Sequence, residues 1–329
     1  MRNPPNIVRK GRVLPYYTSP MRYFLSSLVL LCLSGSVIFG QSSSFVGRWD
    51  IDVNSKSGVG ANWLGITDKG GELEVWFQPT GGHVHPVEGA KVQGSHLNLV
   101  VAAATDHHPE VTWDVEALGD KLKIVQKQGS ETKELVGVRA PELKRDEPKA
   151  WSKPVALFNG KDLKGWEPIG DPSKSHWAVK DGFLVNEEHG ANLKSKREFE
   201  DFKLHFEVKC PDKANSGFYL RGRYELQLEY EPENTEPRER AMGAIYGRIP
   251  PSTAVARTPN EWETFDVTLV GRTITVVHNG IKTIDQKEIE GITGGALNAD
   301  EGKPGPFYIQ GDHTGGLMFR NITISMPKK

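Results

Sequence analysis

The feature that most constrains the fold is the run Gly217-Phe-Tyr-Leu-Arg-Gly-Arg-Tyr-Glu-Leu-Gln-Leu-Glu-Tyr230. At a two-residue period, Phe218, Leu220, Tyr224, Leu226, Leu228 and Tyr230 share one face. Tyr219, Arg221, Arg223, Glu225, Gln227 and Glu229 share the other. A strand separates two such sets, whereas a helix would mix them. The run is therefore expected to be one long strand with an apolar and a polar face. An aromatic ring, two guanidinium groups, an amide and two carboxylates on one face suit ligand binding. The alternative is a solvated face on which the opposite charges pair.

The same alternation recurs along the chain, so the fold is expected to be all-β. Short strands are expected over residues 47–53, 73–77, 96–102, 111–115, 121–126 and 133–138. Asp68-Lys-Gly-Gly71 and Leu118-Gly-Asp120 punctuate them, which suits a small β-barrel or sandwich over residues 44–140. Gly47-Arg48-Trp49 resembles the opening of lipocalin-like barrels, over three residues only. The charged, proline-flanked stretch Ala140-Pro-Glu-Leu-Lys-Arg-Asp-Glu-Pro-Lys149 reads as an interdomain linker, with a boundary at about 141–152. Longer strands follow over 199–209, 217–230, 264–270, 273–278, 307–310 and 317–325. Gly271-Arg272 and Asn279-Gly280 mark hairpins. A domain at 153–329 with about a dozen strands is most economically a jelly-roll sandwich, whose polar sheet face would line a concavity.

The formal net charge of −1 and a pI near 6.8 leave no electrostatic footprint for nucleic acid. Residues 1–40 read as a leader and signal peptide. Met21 reads as the initiator, and the apolar run that follows ends in small residues near Gly40, as a secretory signal does. The run is short and no basic stop-transfer cluster follows it, so no stable membrane anchor is expected after cleavage. The expected location is secreted or periplasmic, in a bacterium. Cys32 lacks the small residues of a lipoprotein site. Cys210 is then the single cysteine, at a strand end, and no internal disulfide is expected.

Several segments in order carry a family resemblance. Leu157-Phe-Asn-Gly-Lys-Asp-Leu-Lys-Gly-Trp166, Trp177-Ala-Val-Lys-Asp-Gly182, Phe199-Glu-Asp-Phe202 and Ser216–Gln227 come first. Gly243-Ala-Ile-Tyr246, Glu261-Trp262, His278-Asn-Gly280, Gln310-Gly-Asp-His313 and Phe319-Arg-Asn-Ile322 follow. Together they resemble the 3-keto-disaccharide hydrolase domain, a concanavalin-like jelly roll, over about residues 155–327. The resemblance implies cleavage of glycosides already oxidised to a ketone at C3 by a separate sugar 3-dehydrogenase. Such a ketone acidifies the C2 proton, so a base can form an enolate that expels the C1 substituent. The product follows by elimination, or by net hydrolysis if water adds back. That chemistry needs a base near neutral pKa, a group at the enolate oxygen, and an acid for the leaving group.

Glu225 is suited to be base, acid or metal ligand, or to pair with Arg221 or Arg223. Arg221 is suited to stabilise the enolate or hold hydroxyls, or to serve as that charge partner. Gln227 suits bidentate hydrogen bonds to hydroxyls, and Tyr219, Arg223 and Gln310 are further candidates for substrate contact. His313, beside Asp312 in a glycine-rich loop, is a candidate base or acid, against a turn-capping role. Its His-Thr-Gly-Gly continuation is longer than the compact turn that the family pattern implies. Tyr246 is a sugar-stacking candidate or a core aromatic. His278 contacts substrate or only flanks its hairpin. No cofactor is evident, and a divalent metal is left open. His83-Val-His85 and His107-His108 permit metal binding, but no carboxylate or thiol pattern completes a site.

Two other readings compete. Glu225-Leu-Gln-Leu-Glu229 resembles the Glu-x-Asp-x-Glu strand of retaining jelly-roll glucanases, but its middle acid is Gln227. A non-catalytic carbohydrate-binding module has the same fold, though a lectin face has less need of titratable groups. The N-terminal block is expected to pack beside the site or widen substrate contact.

Overall fold

The computed structural model describes residues 44–53, 60–101, 110–230 and 238–328. The leader, its signal segment, Cys32 and His107-His108 lie outside the described residues. Among the described residues no helix is long and apolar enough to cross a membrane.

The fold is all-β. The N-terminal strands are β1 (Gly47–Asp52), β2 (Ala61–Asp68), β3 (Leu73–Gln78), β4 (His85–Val87), β5 (Lys91–Gln93), β6 (His96–Val101), β7 (Val111–Leu118), β8 (Lys121–Gln128) and β9 (Glu131–Arg139). They form one antiparallel sheet in the order β4-β3-β2-β1-β9-β8-β7-β6-β5, whose two ends curl toward each other as β4 approaches β6. The result is a small up-and-down barrel around Trp49, Leu64, Phe77, Leu99, Trp113 and Ile124. Its Trp113 packs edge-on against Phe77, 5.0 Å between ring centroids.

The C-terminal strands are β10 (Val155–Ala156), β11 (Trp166–Pro168), β12 (Trp177–Lys180), β13 (Phe183–Asn186), β14 (Leu193–Phe199), β15 (Phe202–Lys209) and β16 (Asn215–Leu220). They continue with β17 (Tyr224–Glu229), β18 (Trp262–Val270), β19 (Thr273–His278), β20 (Ile281–Glu288), β21 (Gly305–Ile309) and β22 (Met318–Ser325). One sheet runs β12-β13-β22-β15-β18-β19-β20, with β10 on β22; the facing sheet runs β11-β14-β21-β16-β17. This is the jelly-roll sandwich. Phe206 of the first sheet stacks on Phe218 of the second at 4.5 Å, and on Phe265 at 5.2 Å. Such offset aromatic contacts add to the area that they bury.

The barrel and sandwich pack within one compact unit. Strand β2 explains how. Its Leu64 and Ile66 face the barrel core, while Ala61 and Trp63 join the sandwich core. With both faces buried it shows no alternation, which is why the sequence pattern misses it. Gly291 lies so close to Trp63 that a Cβ there would sit 2.3 Å from the indole nitrogen. The connecting segment 141–147 is pinned to the sandwich. Arg145 pairs with Glu200 at 2.5 Å and with Asp201 at 3.1 Å, and the Pro141 carbonyl accepts from Arg272 at 2.5 Å. Cys210 is buried, and burial pushes its thiol up to about 12, so it stays protonated at neutral pH.

Candidate functional site

The run 217–230 is not one strand but the hairpin β16–β17, turned at Arg221-Gly222-Arg223. Arg221 and Gly222 both take positive φ, +51° and +67°. The turn has three residues, so odd-numbered residues still face odd-numbered ones: Tyr219 lies opposite Glu225, and Gly217 opposite Gln227. The even-numbered set, Phe218, Leu220, Tyr224, Leu226 and Leu228, enters the core. Tyr219, Glu225, Gln227 and Glu229 point to the opposite face, and segment 243–246 pairs along the edge of β17. There Tyr246 N donates to Glu225 O at 3.0 Å and Gln227 N donates to Ala244 O at 2.9 Å, which also covers the free edge of β17.

Glu225 is buried but reaches the wall of a cleft of about 780 Å³. Its Oε2 accepts from the Tyr219 hydroxyl at 2.7 Å, and that hydroxyl accepts from Gln310 Nε2 at 3.1 Å. The carboxylate occupies space that Gly217 leaves free: a Cβ there would lie 2.4 Å from Glu225 Oε1 and 3.0 Å from Gln310 Oε1. Tyr308 stacks on Tyr219 at 3.9 Å and donates to the Gly295 carbonyl. A Cβ at Gly295 would meet the Tyr219 oxygen at 2.2 Å, so a glycine there lets the tyrosine pair sit against this loop. Burial pushes the Glu225 carboxyl up to about 7, against the opposing pull of the Tyr219 hydrogen bond and the His313 charge. Both tyrosine hydroxyls are held well above their ordinary value by burial and by Glu225, so they remain donors.

His313 lies on the same cleft with its Nδ1–H donating to Asp312 Oδ1 at 2.9 Å. That hydrogen bond raises the imidazole above its ordinary value, overcoming its partial burial. Asn192 fixes the loop: its Oδ1 accepts from Gly311 N at 2.7 Å, and its Nδ2 donates to Asp312 Oδ2 at 3.3 Å. Gln227 donates to Glu229 Oε2 at 2.6 Å, and the carbonyl oxygens of Gln227 and Gln310 are buried with no protein donor. These acceptors suit substrate hydroxyls.

The structure thus gathers Glu225, Gln227, Tyr219, Tyr246, Gln310, Asp312 and His313 on one cleft. It places three other expected site residues elsewhere. Arg221 and Arg223 belong to the turn, where strand alternation ends. Arg221 Nη2 donates to Gly271 O at 2.5 Å, and Arg223 donates to Asn298 Oδ1 at 2.9 Å and Lys303 O at 3.0 Å. Neither pairs with Glu225, and both are buried structural cations. His278 flanks its hairpin but turns inward, 2.7 Å from Glu263 and stacked on Phe265 at 4.3 Å. Arg221→Ala should therefore lower stability by about 2–3 kcal/mol, by leaving the Gly271 carbonyl without its charged donor. Denaturant titration reads that loss. A selective loss of turnover in a fully stable variant would restore Arg221 to the site.

Residues that sequence reasoning missed come from loops distant in the chain. Thr80, Gly81 and Gly82 of the barrel line the cleft, as do Asp171, Lys174, Asn192 and Asn215. No short-range pattern signals them. Tyr308 was legible in principle, since it shares the parity of Gln310 in the run Phe307–Gln310. His83 and His85 stand edge to face at 6.4 Å between ring centroids. Among the described residues no three His, Cys, Asp or Glu side chains gather as a metal site.

With this geometry in place, the chain joins a known class. The model of the 3-keto-alpha-glucoside-1,2-lyase-like domain matches residues 153–325, and the chain belongs to that family. Two solved structures, each named a "putative glycosyl hydrolase" from Parabacteroides distasonis ATCC 8503, are similar to it. One is 29% identical, covering 53% of this chain and 83% of that one, with a TM-score of 0.47. The other is 23% identical, covering 54% and 94%, with a TM-score of 0.44. No curated protein matches the chain.

Proposed function

We propose that this carbohydrate-active protein is an exported bacterial enzyme that cleaves 3-keto-glycosides by removing the C2 proton. Glu225 is the base. The observation that carries this is a buried carboxylate poised near pH 7 on an open cleft, hydrogen-bonded at one oxygen only by a neutral phenol. The unprotonated Glu225 takes the C2 proton, and the C–H electron pair forms the C2=C3 enolate. The enolate then collapses to re-form the C3 ketone, making C1=C2 and breaking the C1–O bond. His313, held protonated by Asp312, donates its proton to the departing oxygen. Arg221 is too far into the turn cluster to serve the enolate, and the Lys174 ammonium on the cleft wall is the cation suited to that role. Water added across C1=C2 would give net hydrolysis. The substrate requires a dehydrogenase that oxidises the C3 hydroxyl first.

The test offers the full chain a 3-keto-glucoside and its unoxidised parent, with and without chelator. Release of the leaving group from the keto form alone supports the reading, and the chelator arm reports any metal requirement. Release from the parent would indicate ordinary glycoside hydrolysis. Glycan binding with no cleavage of either would make the chain a recognition module.

The rate should follow a bell in pH. Its rising limb, near pH 7, belongs to Glu225 losing its proton, and its falling limb to His313 losing the proton that Asp312 stabilises. Asp312→Asn removes that stabilisation, so the falling limb should move to lower pH, and by more than the rising limb, which loses only the smaller push of the Asp312 charge on Glu225. A profile unmoved by this substitution would remove His313 from the acid role.

A further inference from the structure

We propose that a second pocket, where the barrel meets the sandwich, binds a neutral saccharide ring stacked on Trp76. The pocket, of about 440 Å³, is lined by Glu74, Trp76 and His83 of the barrel and by Glu239, Arg248 and Glu290 of the sandwich. It is separate from the cleft that holds Glu225. Gly82 and Tyr246 line the cleft, whereas His83 and Gly247, one residue further along each segment, line the second pocket. The two segments close on each other there: a Cβ at Gly247 would lie 3.0 Å from that of His83. The site goes beyond the reaction assigned to Glu225 and does not depend on it.

Strand β3 explains why the indole stands open. Its Val75 and Phe77 enter the barrel core, so Glu74 and Trp76 share the face that points away from it. The partners of Trp76 across the sheet are Gly65 on β2 and Pro86 on β4. Glycine has no side chain and proline only a short ring, so neither covers the indole, which stays 38% exposed. The other seven tryptophans are buried or half-buried. Leaving so large an apolar ring open to water costs free energy that an occupant of the pocket would recover.

The polar groups around the indole name the ligand. Arg248 is anchored by Nε and Nη2, which donate to Ile292 O at 3.2 Å and 2.7 Å, with its guanidinium 4.2 Å from the Trp63 ring. Its Nη1 is buried and has no protein acceptor, so a donor is held at the pocket without a partner. Burial pushes the group down to about 10, against the pull of Glu290 and Glu301. Glu239, Glu290 and Glu74, which also meets Lys69 at 3.4 Å, bring acceptors to the same pocket. A pyranose ring matches this set: its C–H faces are apolar, and the hydroxyls on its rim both donate and accept. A simple cation would use the carboxylates but be repelled by Arg248. A flat apolar ligand would cover the indole and leave the polar groups without partners. The volume falls within the range of about 300–1,000 Å³ usual for small-molecule sites.

The experiment titrates the full chain with cellotetraose and maltotetraose, both unoxidised, by calorimetry, beside turnover of a methyl 3-keto-glucoside. Trp76→Ala should weaken tetrasaccharide binding at one site about tenfold. It should leave kcat/KM on the small keto-glucoside unchanged. Equal affinity in the native chain and Trp76→Ala, or no binding of either tetrasaccharide to the native chain, overturns the proposal. Loss of turnover together with binding also overturns it, because Trp76 would then serve the cleft or the fold. Should Trp76→Ala fail to fold, Glu239→Lys, on an exposed turn, must weaken binding in its place, and an unchanged affinity there rejects the site. Tetramethylammonium that binds the native chain but not Trp76→Ala, where neither tetrasaccharide binds, would make the pocket a cation site instead. A chain that cleaves no keto-glucoside sinks the reading of Glu225, while the binding arm still decides Trp76.

Discussion

Glu225→Gln should reduce cleavage of a 3-keto-glycoside by about 10²–10⁴-fold, because an amide cannot accept the C2 proton. The loss should fall on kcat more than on KM, since the group acts on the reacting atom. The fold should survive, and above pH 7 it should gain stability. The sign follows from burial. The carboxyl rises from 4.5 to about 7 on folding, so the folded state holds a proton that the unfolded chain has released. Folding stability is thus fully present below about pH 4.5 and declines as pH rises toward 7. An uncharged amide of the same shape still accepts from Tyr219 and carries no desolvated charge. A gain of about 2–3 kcal/mol at pH 8 is expected. An inactive variant that is also unfolded would show instead that Glu225 is structural.

Asp50→Asn is the second large effect, and it concerns how the barrel meets the sandwich. Asp50 on β1 is buried, and both of its carboxylate oxygens lack a donor. It faces Glu301, which receives Arg272 at 2.9 Å and the Tyr224 hydroxyl at 2.6 Å. Two carboxylates cannot hydrogen-bond to each other without a proton, and the buried pair retains one. Burial first, then the charge of Glu301, push Asp50 up to about 9, against the pull of Arg272 and Arg223. Native stability should therefore fall as pH rises from about 4 to 9, where the folded state alone holds the proton. Asparagine supplies an amide donor to Glu301 with no titration. The variant should be more stable than the native chain by about 2–4 kcal/mol at pH 7–8 and close to it at pH 4. Denaturant unfolding across that range reads the difference. A variant less stable than native at pH 8 would mean that Asp50 is ionised and paired with Arg272.

Much of the site was legible in the alternation of 217–230, even though that run is a hairpin. A three-residue turn preserves parity, so Tyr219, Glu225 and Gln227 fall on one face whether the chain bends or not. Alternation stops at the turn, and there the reading of Arg221 and Arg223 fails: their side chains leave the face for Gly271, Asn298 and Lys303. His278 shows the same limit. Asn279-Gly280 correctly signals the hairpin, but only tertiary packing sets the imidazole against Glu263. Strand β2 was invisible because it serves two cores at once, and the barrel loop at residues 80–82 because Gly294, on which Gly81 docks, lies more than two hundred residues away.

The most direct test of the central claim is the single-turnover rate on a 3-keto-glycoside carrying deuterium at C2. If Glu225 removes that proton to begin cleavage, the deuterated substrate should react several-fold more slowly than the ordinary one. Equal rates for the two, with C1–O cleavage observed in both, would mean that the glycosidic bond breaks without C2 proton abstraction and would contradict the account.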